Sequence, residues 1–310
     1  MQNELVTLGI DIGGTGIEYG IVNSEGKILY ENDFKTSDIE SAAILAQKIY
    51  SDDQLKSYLN RLKGIGIGAP NGNFYHGTIE FAPNLKWEGI VPLRDIFNEC
   101  FKVPVVVTND ANAAAIGEMK FGNAQDLKDF VTVTLGTGVG SGVISDGQLI
   151  YGHDGFAGEF GHIRIVPEGR VCGCGRKGCL ETYASSTGVV RSIEELPSKN
   201  KSVSILNELK NPTAKDVFDA ANEGDLFAKE IVDFTCETLG NALADFCCFS
   251  SPKAFVLFGG IAQSEGDFVL KVKKHMEKNL LKIYKNKVEV RISTLHDVNA
   301  AVLGAASLIR

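Results

Sequence analysis

Apolar residues recur along the chain with two alternating periods. Leu5 to Ile12 is an apolar run that passes into Asp11-Ile12-Gly13-Gly14-Thr15-Gly16. Ile17 to Val22 is a second run, Ser24-Glu25-Gly26-Lys27 a turn, and Ile28 to Glu31 a third run. These predict a β-meander whose first turn is Gly-rich. Ile44, Leu45, Ile49, Leu55, Leu59 and Leu62 then fall at helical spacing and predict a helix over 40–62. Gly64 to Ala69 alternates Gly and Ile up to Pro70. Val103 to Thr108 is rich in β-branched residues, as a buried parallel strand requires. It ends at Asn109-Asp110, and a helix is predicted from Ala111 to Met119.

The pattern then restarts. Phe130 to Leu135 reads as a strand, Gly136 to Gly142 as a Gly-rich turn, and Val143-Ile144 as the next strand. Leu8 to Gly16 and Val133 to Gly140 are two strand–Gly turn–strand hairpins about 125 residues apart. They predict a duplicated α/β unit, each half offering one backbone loop to a ligand in a cleft between them. Residues 194 to 213 are rich in Ser, Asn, Lys and Pro and read as a surface excursion. Thr213-Ala214-Lys215-Asp216 has the form of a helix start, and Asp225 is placed to cap a helix reaching about Phe249. Ala254 to Phe258 is a strand ending in Gly259-Gly260. A later helix carries Lys271, Lys273, Lys274, Lys278 and Lys282, read as a solvated face. Val288 to Ile292 is the last strand. Asp297 to Leu308 is the last helix, expected to pack back on the first domain.

Composition narrows the class. A length of 310 residues allows two domains of about 150 each. The formal charge of -8 offers nothing to nucleic-acid phosphates, so no nucleic-acid partner is expected. No apolar run reaches the roughly 18 residues of a membrane helix. Met1-Gln2-Asn3-Glu4 carries no basic leader, so the expected location is cytoplasmic. Of seven cysteines, Cys100, Cys236, Cys247 and Cys248 lie in apolar helix-like surroundings and are expected in the core. The odd count argues against a disulfide framework.

The other three cysteines change the picture. His162, Cys172, Cys174 and Cys179 fall within eighteen residues and are flanked by Glu159 and Glu181. Thiolate and imidazole donors favour a tetrahedral zinc site, which four protein ligands would close. Such a metal holds a loop and performs no chemistry. The spacing is not that of a DNA-reading finger. His162 could give one ring nitrogen to the metal and the other to a ligand.

Three further features invite chemistry. Gly-rich turns let backbone approach a phosphate, and Asp11 beside the first could orient Mg²⁺ through water. No Gly-Lys-Ser/Thr follows either turn, which excludes a Walker A loop. Asn109-Asp110 could be a plain helix N-cap. It also stands at the C-terminal end of a buried strand, where ligands of α/β sheets bind and where a carboxylate can take a proton from a hydroxyl. Asn84 is a candidate sugar contact or a turn residue; Trp87, the single tryptophan, reads as packing.

Together these segments resemble the ROK family of sugar kinases and sugar-responsive repressors over nearly the whole chain. Asp11-Ile12-Gly13-Gly14-Thr15 is similar to its first phosphate motif and Gly136-Thr137-Gly138-Val139-Gly140 to its second. Phe156 to His162, followed by Cys172-Gly173-Cys174-Gly175 and Gly178-Cys179-Leu180-Glu181, is similar to the family signature. The resemblance implies an α/β fold of two actin-like ATPase (ribonuclease H-like) domains around a central cleft, with a structural zinc loop. A small domain is expected over 1–110, joined by a C-terminal helix at about 297–310. A large domain is expected over 111–296, with the zinc loop and a dimerisation surface. Implied with it are ATP, Mg²⁺, structural Zn²⁺, a hexose acceptor and a homodimer or homotetramer.

By the same resemblance Asp110 is the general base. Asn109, Asp110, Glu159, His162 and Glu181 hold the sugar, with Asn84 kept beside them as the candidate contact named above. Asp11, Gly13, Gly14, Thr15, Thr137, Gly138, Gly259 and Gly260 serve the nucleotide, and His162, Cys172, Cys174 and Cys179 hold zinc. The family often has three glycines at the adenosine motif; here Phe258 precedes Gly259-Gly260. Glu181-Thr182-Tyr183-Ala184-Ser185 resembles the glucokinase branch, so glucose phosphorylation at the 6-hydroxyl is expected. Kinases for N-acetylmannosamine, N-acetylglucosamine, fructose or allose share the polar ligands and stay open, as does a non-catalytic sugar sensor. Family repressors carry an N-terminal helix-turn-helix of roughly 70 to 80 residues. The first phosphate strand starts here at Leu5, so a kinase is expected.

Overall fold

The computed structural model describes residues 4–82, 85–264, 266–295 and 299–309. In chain order the first half contains β1 (Val6–Ile12), β2 (Gly16–Val22), β3 (Ile28–Lys35), α1 (Ala42–Tyr50), α2 (Asp53–Lys56) and β4 (Leu62–Gly68). It continues with the short strands β5 (Gly72–Asn73), β6 (Thr78–Glu80) and β7 (Ile90–Val91), then α3 (Leu93–Phe101), β8 (Val105–Thr108) and α4 (Asp110–Phe121). Next come β9 (Phe130–Leu135), β10 (Val139–Ser145), β11 (Gln148–Leu149), α5 (Glu181–Ala184), α6 (Ser186–Glu195), α7 (Ala214–Glu223) and α8 (Leu226–Ser250). The chain closes with β12 (Ala254–Phe258), α9 (Phe268–Asn279), β13 (Glu289–Ile292) and α10 (Ala300–Ala306).

The chain forms two compact units, one from 1–126, 148–158 and 294–310, the other from 127–147 and 159–293. The sequence reading put the boundary at 110/111. α4 instead belongs to the first unit, where its small residues meet α10: Gly304 lies so close that a Cβ on it would stand 2.4 Å from the Ala113 carbonyl oxygen.

The first unit is built on a five-stranded sheet of order β3-β2-β1-β4-β8. β1 pairs antiparallel with β2 and parallel with β4, and β4 pairs parallel with β8. Strand periodicity explains the Gly–Ile alternation. Ile65 and Ile67 point to one face and are fully buried, as are Leu8, Ile10 and Ile12. Gly66 and Gly9 point to the other, where α10 crosses. A Cβ on Gly66 would lie 1.8 Å from the Ala305 carbonyl oxygen, and one on Gly9 2.1 Å from that of Val302. Only glycine lets the helix backbone come that near.

The second unit repeats the plan with β10-β9-β12-β13. β9 and β10 form the antiparallel hairpin, and β12 and β13 are parallel to β9. Each unit therefore opens with a hairpin closed by a Gly-rich turn, as the duplicated pattern implied. Each also has its own hydrophobic core.

Local signals set most boundaries. Thr213 and Asp216 form a reciprocal capping box at α7, and the Asp225 side chain accepts the Ala228 amide at the start of α8. The helix expected over 40–62 is broken after Tyr50. Asp52 accepts from the Gln54 and Leu55 amides and restarts the chain as α2. Trp87 is buried, its indole N–H donating to the Ile39 carbonyl, as packing required. Cys236 and Cys247 are buried and Cys100 is half-buried. Cys248 is exposed, against expectation, because one further step of α8 turns it from the core. Lys273, Lys274, Lys278 and Lys282 are solvated, whereas Lys271 is half-buried between Asp233 and Asp267. The expected start of the last helix, Asp297, lies outside the described residues. Among the described residues no helix is long and apolar enough to cross a membrane.

Candidate active site

In the first unit the candidate residues gather at the C-terminal ends of three parallel strands. Asp11 lies near the end of β1, opposite Gly68 of β4, which in turn pairs with Thr108 of β8. A Cβ on Gly68 would stand 3.3 Å from Asp11 Oδ1 and 3.4 Å from the Asp110 Cα, so the two aspartates flank one glycine. Burial first, then the Asp110 and Glu18 carboxylates, pushes the Asp11 carboxyl up to about 8. Such a crowd of oxygen donors without a counter-charge suits a hard divalent cation such as Mg²⁺.

Asn109 and Asp110 open α4. The Asn109 side chain accepts the Ala111 amide at 2.9 Å, and Asp110 Oδ1 accepts it at 2.8 Å. The capping reading of Asn109 is thus met, and it leaves one Asp110 oxygen for other work. Protein crowding raises the Asp110 carboxyl above the ordinary aspartate value, although its own N–H and that of Ala111 lower it. Water still reaches the residue, so its desolvation is partial. The Gly13–Gly16 turn closes on itself through the Gly13 amide and Gly16 carbonyl at 2.8 Å, leaving Gly14 and Thr15 exposed. Thr36 steadies it by donating to the Gly13 carbonyl at 2.7 Å. Asn84 lies outside the described residues.

In the second unit the Cys/His residues converge. The donor atoms of His162, Cys172, Cys174 and Cys179 all lie within 4.8 Å of one another. Cys174 and Cys179 sulfurs are 3.7 Å apart, and Cys172 Sγ is 3.7 Å from His162 Nδ1. Zn–S bonds of about 2.3 Å in a tetrahedron place ligands roughly 3.8 Å apart. The donor set and its spacing therefore fit zinc. The structure also separates the imidazole nitrogens: Nδ1 faces the thiols, and Nε2 is 3.9 Å from Glu159 Oε2.

Glu181 lies where sequence reasoning did not put it. Its Oε2 accepts the Val139 amide at 3.1 Å, and a Cβ on Gly138 would come within 2.3 Å of that oxygen. Its Oε1 accepts from the Cys172 thiol at 3.6 Å. One carboxylate thus joins the Cys/His hairpin to the second Gly turn. Helix α6, also missed, braces the same turn: the Ser186 amide donates to the Gly136 carbonyl, and Thr187 Oγ1 to that of Thr137, at 2.8 and 2.9 Å. Ser185, its N-cap, accepts the Gly188 amide. The run Ser185-Ser186-Thr187-Gly188 before Val189, Val190 and Ile193 was the available signal.

Beside this turn lies a cavity of about 1010 Å³ walled by Leu135, Gly136, Val190, Phe218, Gly260 and Ile261. Gly260 reaches it. Gly259 instead takes a left-handed turn (φ 104°) against the Leu135 carbonyl.

The sequence profile of the ROK family matches residues 7–310. The chain belongs to the ROK family. It is 37% identical to a glucokinase of Halalkalibacterium halodurans, over 98% of this chain and 94% of that protein. It is 31% identical to the xylose repressor of Caldicellulosiruptor bescii, over 97% of this chain and 77% of the repressor. The fold superimposes with a TM-score of 0.82 on a ROK family glucokinase from Streptomyces griseus crystallised with glucose and AMPPNP. That protein is 34% identical, with 98% of this chain and 99% of that one covered.

Proposed function

We propose that the protein transfers the γ-phosphoryl group of ATP to the 6-hydroxyl of glucose. One observation carries the reading: a single Gly turn touches a large cavity through Gly136 and an acid through Gly138. A Gly-rich backbone that can come close to a phosphate thus stands between a space sized for a nucleoside and a carboxylate suited to a hydroxyl. That several relatives are named glucokinase supports glucose as the hexose.

Roles follow by residue. Asp110 accepts the proton of the 6-hydroxyl as its oxygen attacks the γ-phosphorus; the P–O bond to ADP breaks, and the proton leaves on Asp110. Asn84, Asn109, Glu159, His162 and Glu181 hold the remaining hydroxyls. Gly13, Gly14, Thr15, Thr137 and Gly138 face phosphates, and Gly260 and its neighbour Gly259 the adenosine. Asp11 would hold Mg²⁺, which would supply positive charge to offset that of the phosphates. His162, Cys172, Cys174 and Cys179 would hold zinc, which would supply a cross-link near His162 Nε2 and Glu181. We expect a homodimer or homotetramer, measurable by light scattering, working in the cytoplasm where ATP is made.

The test is a coupled ADP-release assay over glucose, mannose, fructose, allose, N-acetylglucosamine and N-acetylmannosamine. Glucose should give the highest kcat/KM. A repressor with the same fold would consume no ATP with any of them, and that result would reject the assignment.

A further inference from the structure

Arg170 stands two residues before Cys172 and is almost wholly buried. Its guanidinium spends its donors on four groups. Nε donates to Glu195 at 2.7 Å, Nη1 to the carbonyls of Thr182 and Gly188 at 2.7 and 3.0 Å, and Nη2 to Ser192 Oγ at 2.9 Å. The planar group lies 4.6 Å from the centre of the Tyr183 ring, and the Tyr183 hydroxyl accepts the Arg170 amide. A lysine could not span this set, since a fork of fixed donors is needed.

The partners lie on two elements with different tasks. Thr182 follows Glu181 in α5, so the bond to its carbonyl fixes the acid that meets the Gly138 turn. Gly188, Ser192 and Glu195 belong to α6, whose Val190 and Arg191 wall the cavity. Glu195 is shared: it also pairs with Arg191, which donates to the Val171 carbonyl beside Cys172 at 3.0 Å. The Cys/His hairpin and the cavity wall are therefore joined from both sides, by Arg170 reaching Gly188, Ser192 and Glu195 and by Arg191 reaching back to Val171.

We infer that Arg170, with Glu195 and Arg191, is a positioning clamp that makes hexose and nucleotide affinity depend on each other. A hydroxyl that draws Glu181 toward it shifts α5; the clamp passes the shift to α6, and α6 moves the cavity wall and the Gly136 turn it braces. This rests on the proposed assignment of hexose to the hairpin and nucleotide to the cavity. Coupling of this kind is reciprocal, so glucose should tighten the nucleotide by the factor the nucleotide tightens glucose.

The experiment measures AMPPNP affinity by calorimetry with and without saturating glucose, in the zinc-loaded protein. The wild type should show a gain of about fivefold or more, the lower end of ordinary couplings. Arg170→Lys and Glu195→Gln should bring the ratio near one while zinc content stays stoichiometric. Should Arg170→Lys fail to fold, Glu195→Gln and Ser192→Ala, which weaken the clamp but keep the guanidinium, decide the matter. Variants that melt earlier but keep the wild-type ratio would reduce Arg170 to a packing residue and overturn the inference. So would a wild type that phosphorylates glucose yet shows no coupling. A wild type with no hexose-dependent ATP turnover would sink the functional reading itself, and the clamp with it.

Discussion

At the scale of single residues, environment decides what a carboxylate does. Asp110 accepts the Ala111 amide with one oxygen, beside the Asn109 cap, and is raised above the usual aspartate range by its surroundings. Asp110→Ala should lower kcat by about 10²–10⁴-fold, the usual worth of a positioned base, with an unchanged melting temperature. The base must be ionised to act. The acid limb of kcat/KM against pH should therefore lie above the roughly 3.9 of a free aspartate, with activity lost as pH falls through it. Asp52 is the opposite case. Burial would raise it, but hydrogen bonds from Tyr19, Tyr30 and Asn32 overcome that and hold it at about 2. Its folded value is lowered, so its stabilisation is present above about pH 4 and is lost as pH falls toward 2. Urea midpoints of wild type and Asp52→Asn should converge over that window; parallel curves would count against it.

At the scale of elements, glycine spacing sets how closely backbones pack. Gly66→Ala would drive a methyl into the Ala305 carbonyl and must displace α10 from β1 and β4. We expect a loss of about 1–3 kcal/mol or more in unfolding free energy, measured by denaturant titration. Gly138→Ala tests chemistry instead. Its methyl would meet the Glu181 carboxylate, so KM for glucose and ATP should both rise while the melting temperature barely moves. Some elements were legible from local signals: the Thr213 box, the Asp225 cap and the Gly–Ile alternation of β4. Others were not. The break before α2 depends on Asp52 meeting Tyr19 and Tyr30 from distant strands, and α6 is held by contacts to the Gly136 turn.

At the scale of the whole molecule, the Cys/His hairpin should act as a cross-link more than as a catalyst. Removing the metal with a chelator, or Cys174→Ser, should lower the melting temperature and weaken glucose binding together. Residual zinc with unchanged glucose affinity in Cys174→Ser would show that another ligand set holds the metal. The convergence of the hairpin donors was readable because thiols and an imidazole so close in sequence have few other uses. The same spacing could not say which imidazole nitrogen turns to the thiols; side-chain packing places Nδ1 there. Likewise, Glu159 and Glu181 flank the hairpin in sequence, and folding sets one near His162 Nε2 and the other on a backbone turn.

By itself, the sequence determined the duplicated strand–turn–strand plan, a thiol and imidazole donor set compatible with zinc, and the acid at the end of a buried strand. Each follows from periodicity, residue type or spacing along a short stretch. Only the tertiary structure decided that α4 and α10 close the first unit, that Glu181 sits on the Gly138 turn, and that Arg170 binds hairpin to cavity wall. Those facts depend on hydrogen bonds and close approaches between segments far apart in the chain or on different elements, which no local pattern encodes.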